Sequence, residues 1–133
     1  MKTYTINGQD FSTLEQFFDT IGQTLIPTSY WGHNLDAFDD ILGGGFGTPE
    51  NGFVIVWKNS EFSRMKLGFD ETVRQLSQRL IECHPLNREV VEKQLQDAKH
   101  ETGPTVFDWL IDIILEHGPD GEQSLDNVTL RLE

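Results

Sequence analysis

Apolar positions recur along this chain at two spacings, and the switches between them mark its elements. Lys2 to Ile6 reads as a short strand, closed by the turn pair Asn7-Gly8. Leu14, Phe17, Phe18, Ile21 and Leu25 follow at helical spacing and share one face. Ser12 is the expected N-cap of that helix, with Glu15 three places on to complete a capping box, and Pro27 stops it. Asn34 is the expected N-cap of a second helix, Leu35 to Leu42, whose buried side is Leu35, Phe38, Ile41 and Leu42. Gly43-Gly44-Gly45 ends it. Phe53-Val54-Ile55-Val56-Trp57 has no polar break, as expected of a strand covered on both faces.

The second half alternates less cleanly. Asn59 and Ser60 lead into a short turn or helix around Glu61 to Leu67. Phe69 to Cys83 carries Val73, Leu76, Leu80 and Ile81 as the apolar face of a third major helix. From His84 to Pro104 the chain turns polar and charged. There Val90, Val91 and Leu95 give only a weakly anchored helix, begun after Pro85 by Asn87, and segment 83–103 reads as a polar surface insertion. Val106 to His117 is strongly helical, buried through Val106, Phe107, Leu110, Ile111, Ile113 and Ile114. After the loop Gly118-Pro119-Asp120-Gly121, alternating Val128, Leu130 and Leu132 close the chain as a strand. Strand, helices, strand, helices, strand predicts an α/β domain with a small, mostly parallel sheet.

Composition adds boundaries. The 133 residues fit one domain, and 37% hydrophobic content with nine Phe and three Trp supports a packed globule. No apolar run approaches the roughly 18 residues of a membrane helix. The N-terminal MKTYTINGQDF lacks the apolar core of a signal peptide. The lone Cys83 has no internal disulfide partner. Together these features favour a cytoplasmic location. The formal charge of −12 opposes binding to nucleic acid, where Lys and Arg supply most of the affinity. It also opposes anionic membranes and attracts basic proteins.

That charge concentrates where the chemistry is richest. Tyr30-Trp31-Gly32-His33-Asn34 places two aromatics in a loop, and Asp36, Asp39 and Asp40 follow on the second helix without a basic residue. Asp36 and Asp40, four apart, share one helix face. Like charges there cost about 0.2–0.5 kcal/mol, which the helix N-terminus offsets by about 0.3–1 kcal/mol per acid in its first turn. The cluster is therefore tolerable as ordinary N-terminal charge. It also suits the phosphate sites of an RNA-binding enzyme. Tyr30, Trp31 and Phe46 bracket the helix, either as a core lid or as interface anchors. His33 with Asp36 and Asp40 makes a poor metal or acid–base site, because no second His or Cys stands at ligand spacing. Gly43 to Gly47 lacks the Lys-Ser/Thr of a phosphate loop, and Cys83 has no pattern arguing for a reactive thiolate. No cofactor is expected.

From Tyr30 to Leu42 the chain resembles the barstar family of intracellular ribonuclease inhibitors. The shared pattern is an aromatic pair, Gly, any residue, Asn-Leu-Asp-Ala, two residues, Asp, any residue and Leu. The order of the other elements also fits, over about residues 1–82 and 104–133. The resemblance implies a barstar-like fold, a small sheet of three parallel strands packed against helices. It implies a non-enzymatic inhibitor of a basic extracellular or toxin ribonuclease, monomeric when free. By position it implies that Tyr30, Asn34, Asp36 and Asp40 meet the nuclease, with Asp40 in its phosphate pocket. Trp31, Asp39 and Phe46 complete the expected contact set. Asp39 stands where the best-known inhibitor has tryptophan, and Thr105, with Asp108 a turn on, where it has an acid. These departures imply a target other than barnase. Two alternatives remain: the same fold binding a basic protein that is not a nuclease, and a small hydrolase using His33 with Asp36.

Overall fold

The computed structural model describes residues 1–133. Three strands, β1 (Thr3–Asn7), β2 (Phe53–Lys58) and β3 (Val128–Leu132), form one parallel sheet in the order β1-β2-β3. Two helices connect β1 to β2: α1 (Leu14–Leu25) and α2 (Leu35–Leu42). Four connect β2 to β3: α3 (Ser60–Lys66), α4 (Phe69–Glu82), α5 (Arg88–Lys99) and α6 (Val106–Glu116). Parallel pairing requires such crossovers, because neighbouring strands begin at the same end of the sheet.

The main core lies between the sheet and helices α1, α2 and α6. Trp57 is at its centre, stacked on Phe17 with ring centres 5.4 Å apart, and its indole N–H donates to Ser63 Oγ at 3.0 Å. Phe17 in turn meets Phe38 of α2 edge-on at 5.4 Å. The unbroken apolar run of β2 divides by face. Phe53, Ile55 and Trp57 join the main core; Val56 is buried outside it, and Val54 is only half-buried. Coverage of the two faces is thus unequal.

The start of α1 differs from expectation by one residue. Thr13, not Ser12, is the N-cap: its hydroxyl accepts from the Gln16 amide at 3.2 Å. Gln16 returns the bond to the Ser12 amide at 2.8 Å. Glu15 is drawn away to α4, where it accepts from Arg74 and, at 2.5 Å, from Gln75. Beside it, Glu71 of α4 has a side chain only 5% exposed. It accepts from the Leu14 amide at 2.8 Å, from Arg74 Nε at 2.6 Å and from Gln75 at 3.1 Å. An amide that α1 cannot satisfy within itself is therefore capped by a neighbouring helix.

Segment 83–103 is better anchored than its composition predicts. After a single 3-10 turn at Pro85–Asn87, α5 docks on α4 through Val91, Leu95 and Ala98, which enclose Leu76 in a second, smaller core. Trp109 of α6 touches both cores. Two assigned face residues point outward instead: Val90 and Ile81 are exposed. In each case a valine or leucine one position away, Val91 or Leu80, takes the inward place.

Candidate functional site

The loop from Ile26 to Asn34 runs directly into helix α2, and His33, Asn34, Leu35 and Asp36 line one cleft. The geometry of the loop starts with Gly22 on α1. A Cβ at Gly22 would stand 2.5 Å from Trp31 Nε1, so only glycine lets the indole lie on the helix. Trp31 is accordingly buried, 7% exposed, and meets Phe18 edge-on at 5.6 Å. Of the aromatic pair, Trp31 is the core lid and Tyr30 is the free ring, 94% exposed. His33 adopts a left-handed backbone with φ 51° and lies over Trp31 at 4.5 Å. Its nearest carboxylate is Asp19, 3.5 Å away, rather than Asp36.

Asn34 caps α2 as expected, accepting from the Ala37 amide at 2.8 Å. This bond fixes where the helix begins and hence where its acids point. Phe38, Ile41 and Leu42 anchor the inner face in the main core, with Leu35 half-buried. Asp36 and Asp40 lie on the outer face, exposed and in no ion pair. Arg79 of α4 lines the same cleft as Asp36 without pairing with it; its guanidinium stacks over Trp109 at 5.1 Å. Phe46 is half-buried against the main core. Its carbonyl accepts from Ser29 Oγ at 2.7 Å, which ties the glycine loop after α2 to the loop before it.

Asp39 behaves differently from its two neighbours. Its Oδ1 lies 2.5 Å from Nε2 of His117, which is 1% exposed at the end of α6. The other ring nitrogen of His117 lies 2.6 Å from Asp126 Oδ2. Asp39 therefore faces a buried histidine ring within the molecule, and Asp36 and Asp40 carry the outward charge. The three partners come from α2, α6 and the turn before β3. Sequence reasoning missed His117 and Asp126, for the contact from Asp39 to His117 spans 78 residues and has no local spacing signal.

No group of three His, Cys, Asp or Glu side chains converges as a metal site. Cys83 is half-buried, with Sγ 3.7 Å from the Leu80 carbonyl. No helix is long and apolar enough to cross a membrane.

A three-stranded parallel sheet, with a capped acidic helix presented beside an exposed tyrosine, defines a small α/β domain of the barstar class. The family model described as "Barstar (barnase inhibitor)" matches residues 1–102, and the chain belongs to that family. The match runs through α5, so residues 83–102 fall inside it, while α6 and β3 follow. A relative from Bacillus subtilis (strain 168), named "Putative ribonuclease inhibitor YrdF", is 38% identical over 68 residues. That alignment covers 51% of this chain and 71% of the relative.

Proposed function

We propose that this protein is a stoichiometric inhibitor of a basic ribonuclease, an immunity-type partner that blocks the nuclease active site. The observation that carries this reading is the pair Asp36 and Asp40: four residues apart, exposed and unpaired on α2. Two carboxylates so placed mimic adjacent phosphates of an RNA strand. A nuclease cleft is lined with the cations that bind those phosphates, and a net charge of −12 speeds the encounter. Tyr30 supplies a rigid aromatic anchor at the rim. Phe46 and the glycine loop close the other side. Trp31 supports this surface from below, and Asn34 orients it by capping α2. The protein acts in the cytoplasm of the cell that makes the nuclease and is monomeric until it binds. Membership of the barstar family and the name of the Bacillus relative support the same reading.

Affinity capture of the partner from the source cell tests this. The captured protein should be basic and should cleave RNA, and added inhibitor should stop cleavage at a one-to-one ratio. A captured basic protein without RNA cleavage would replace this reading with the non-nuclease alternative.

A further inference from the structure

His117 sits where it can decide how firmly α2 is held. Its backbone is fixed: the amide donates to the Ile114 carbonyl at 3.1 Å, and its carbonyl accepts from the Val128 amide at 2.8 Å. The ring is 1% exposed, and each nitrogen lies against a carboxylate, at 2.5 Å on the α2 side and 2.6 Å on the β3 side. Ionised carboxylate oxygens only accept hydrogen bonds, and a neutral imidazole has one N–H to donate. Two such contacts on one ring therefore need two ring protons. The imidazolium also suits the place, since the C-terminal carbonyls of α6 favour a cation. The groups facing the ring are Asp39 from α2 and Asp126 from the turn before β3, with the uncharged Gly43 beside it. Glu116, on the same helix as His117, is exposed.

We propose that His117 is a positioning residue for the inhibitory helix, a doubly protonated clamp that joins Asp39 on α2 to Asp126 before β3 and loosens when it loses a proton. Its consequence for inhibition rests on the function proposed above; the clamp itself is a property of the free protein. Helix α2 has eight residues, fewer than the roughly 12–15 that give an isolated helix marginal stability, so it depends on tertiary ties. The hydrophobic anchors Phe38, Ile41 and Leu42 hold its inner face. The clamp holds one flank of α2 and so sets its rotation about its axis. That rotation decides where Asp36 and Asp40 point. Deprotonation leaves one N–H for two carboxylates, and the electrostatic repulsion of the unsatisfied one works against the docked position. The tie requires both ring protons together with both ionised carboxylates.

Native-state hydrogen exchange and histidine ring NMR on the free protein, between about pH 5 and about pH 8, test the clamp without any nuclease, because histidine rings titrate in that span. Two N–H signals on the His117 ring are expected at the lower pH. Protection of the α2 amides from Phe38 to Leu42, corrected for intrinsic exchange, should fall several-fold as one N–H signal is lost. Protection in β1 and β2 should hold. Asp126→Asn offers an amide N–H to the bare nitrogen of a neutral ring that donates to Asp39, so it should largely remove the pH dependence. His117→Gln keeps one bond and should give low, pH-independent protection in α2. A ring with one N–H throughout, or α2 protection that stays flat in the unsubstituted protein, overturns the proposal. Either result would leave the ribonuclease reading intact.

Discussion

Two charge junctions in this protein have the same layout and different behaviour. Each sets one nitrogen-bearing side chain between two carboxylates from different segments. Arg74 lies between Glu71 and Glu15 and ties α4 to the start of α1. His117 lies between Asp39 and Asp126 and ties α6 and the β3 entry to α2. The guanidinium is a permanent charge, held more firmly still because the hydrogen bonds it donates to Glu71 and Glu15 raise its already high pKa. The imidazole is charged only while both of its ring nitrogens hold protons. A permanent tie serves the frame, and the removable one sits under the helix that carries the outward acids. Charge satisfied inside the fold does structural work, and charge left bare on α2 is available to a partner.

The largest expected effect on stability is at the permanent junction. Glu71→Ala removes the acceptor for Leu14, Arg74 and Gln75 at a site almost closed to solvent. Arg74 is half-exposed and can turn to water, so the cost lies mainly in the buried Leu14 amide left without its acceptor, about 1–3 kcal/mol. Urea unfolding should show that loss in the midpoint. A change under about 1 kcal/mol would mean that Arg74 and Leu14 find water instead, and the junction would not deserve its structural role.

Next comes the bare pair. Asp40→Ala should leave the unfolding midpoint unchanged and weaken the nuclease complex by about 2–5 kcal/mol, a range drawn partly from the barnase–barstar pair itself. Glu92→Ala, on the exposed face of α5, should change neither. Equal small effects on binding would remove Asp40 from the contact surface. A large loss of stability at Asp40 would instead place it among the internally satisfied charges, with Asp39.

How far these distinctions can be read from sequence depends on the reach of the contacts that make them. Helix α2 was legible to the residue, Leu35–Leu42, because its cap and its glycine stop are local. The order of strands and helices was legible from the two hydrophobic spacings. Trp31 was not: whether an aromatic beside glycine faces in or out depends on Gly22, nine positions earlier on another element. Docking of α5 was underestimated because Val90 and Val91 are adjacent, and only one of them can face Leu76. Asp39 looked like a third outward acid because its partner lies at the far end of the chain. The resemblance to the family adds a tryptophan at that position in the best-known inhibitor. It therefore marks the site as altered without revealing that the new charge turns inward.

A smaller effect tests whether the cap matters to orientation as well as to stability. Asn34→Ala deletes the 2.8 Å bond to the Ala37 amide and should cost about 1 kcal/mol in stability. In an eight-residue helix the fraying falls on the first turn, where Asp36 lies. Binding should weaken by a similar amount, while Asn34→Ser, which restores a capping oxygen, should recover stability. If stability recovers and binding does not, the asparagine side chain itself meets the partner.

The smallest effect separates the two junctions by their response to pH. Burial alone would raise the Glu15 carboxyl, but hydrogen bonds from Gln75 and Arg74, with the charge of Arg74, outweigh it and hold the pKa below its ordinary value. A carboxyl lower in the folded than in the unfolded chain contributes stability that is complete at neutral pH. That contribution disappears as the pH falls through the folded value. Glu15 has a side chain 60% exposed, so solvent screening keeps the contribution within about 1 kcal/mol. Glu15→Gln should therefore flatten the acid limb of the stability curve slightly and leave the neutral limb alone. The proposed His117 tie differs in kind, since it depends on the ring keeping both of its protons. If Glu15→Gln leaves the acid limb unchanged, Glu71 alone carries the α1 junction and Glu15 is an ordinary surface acid.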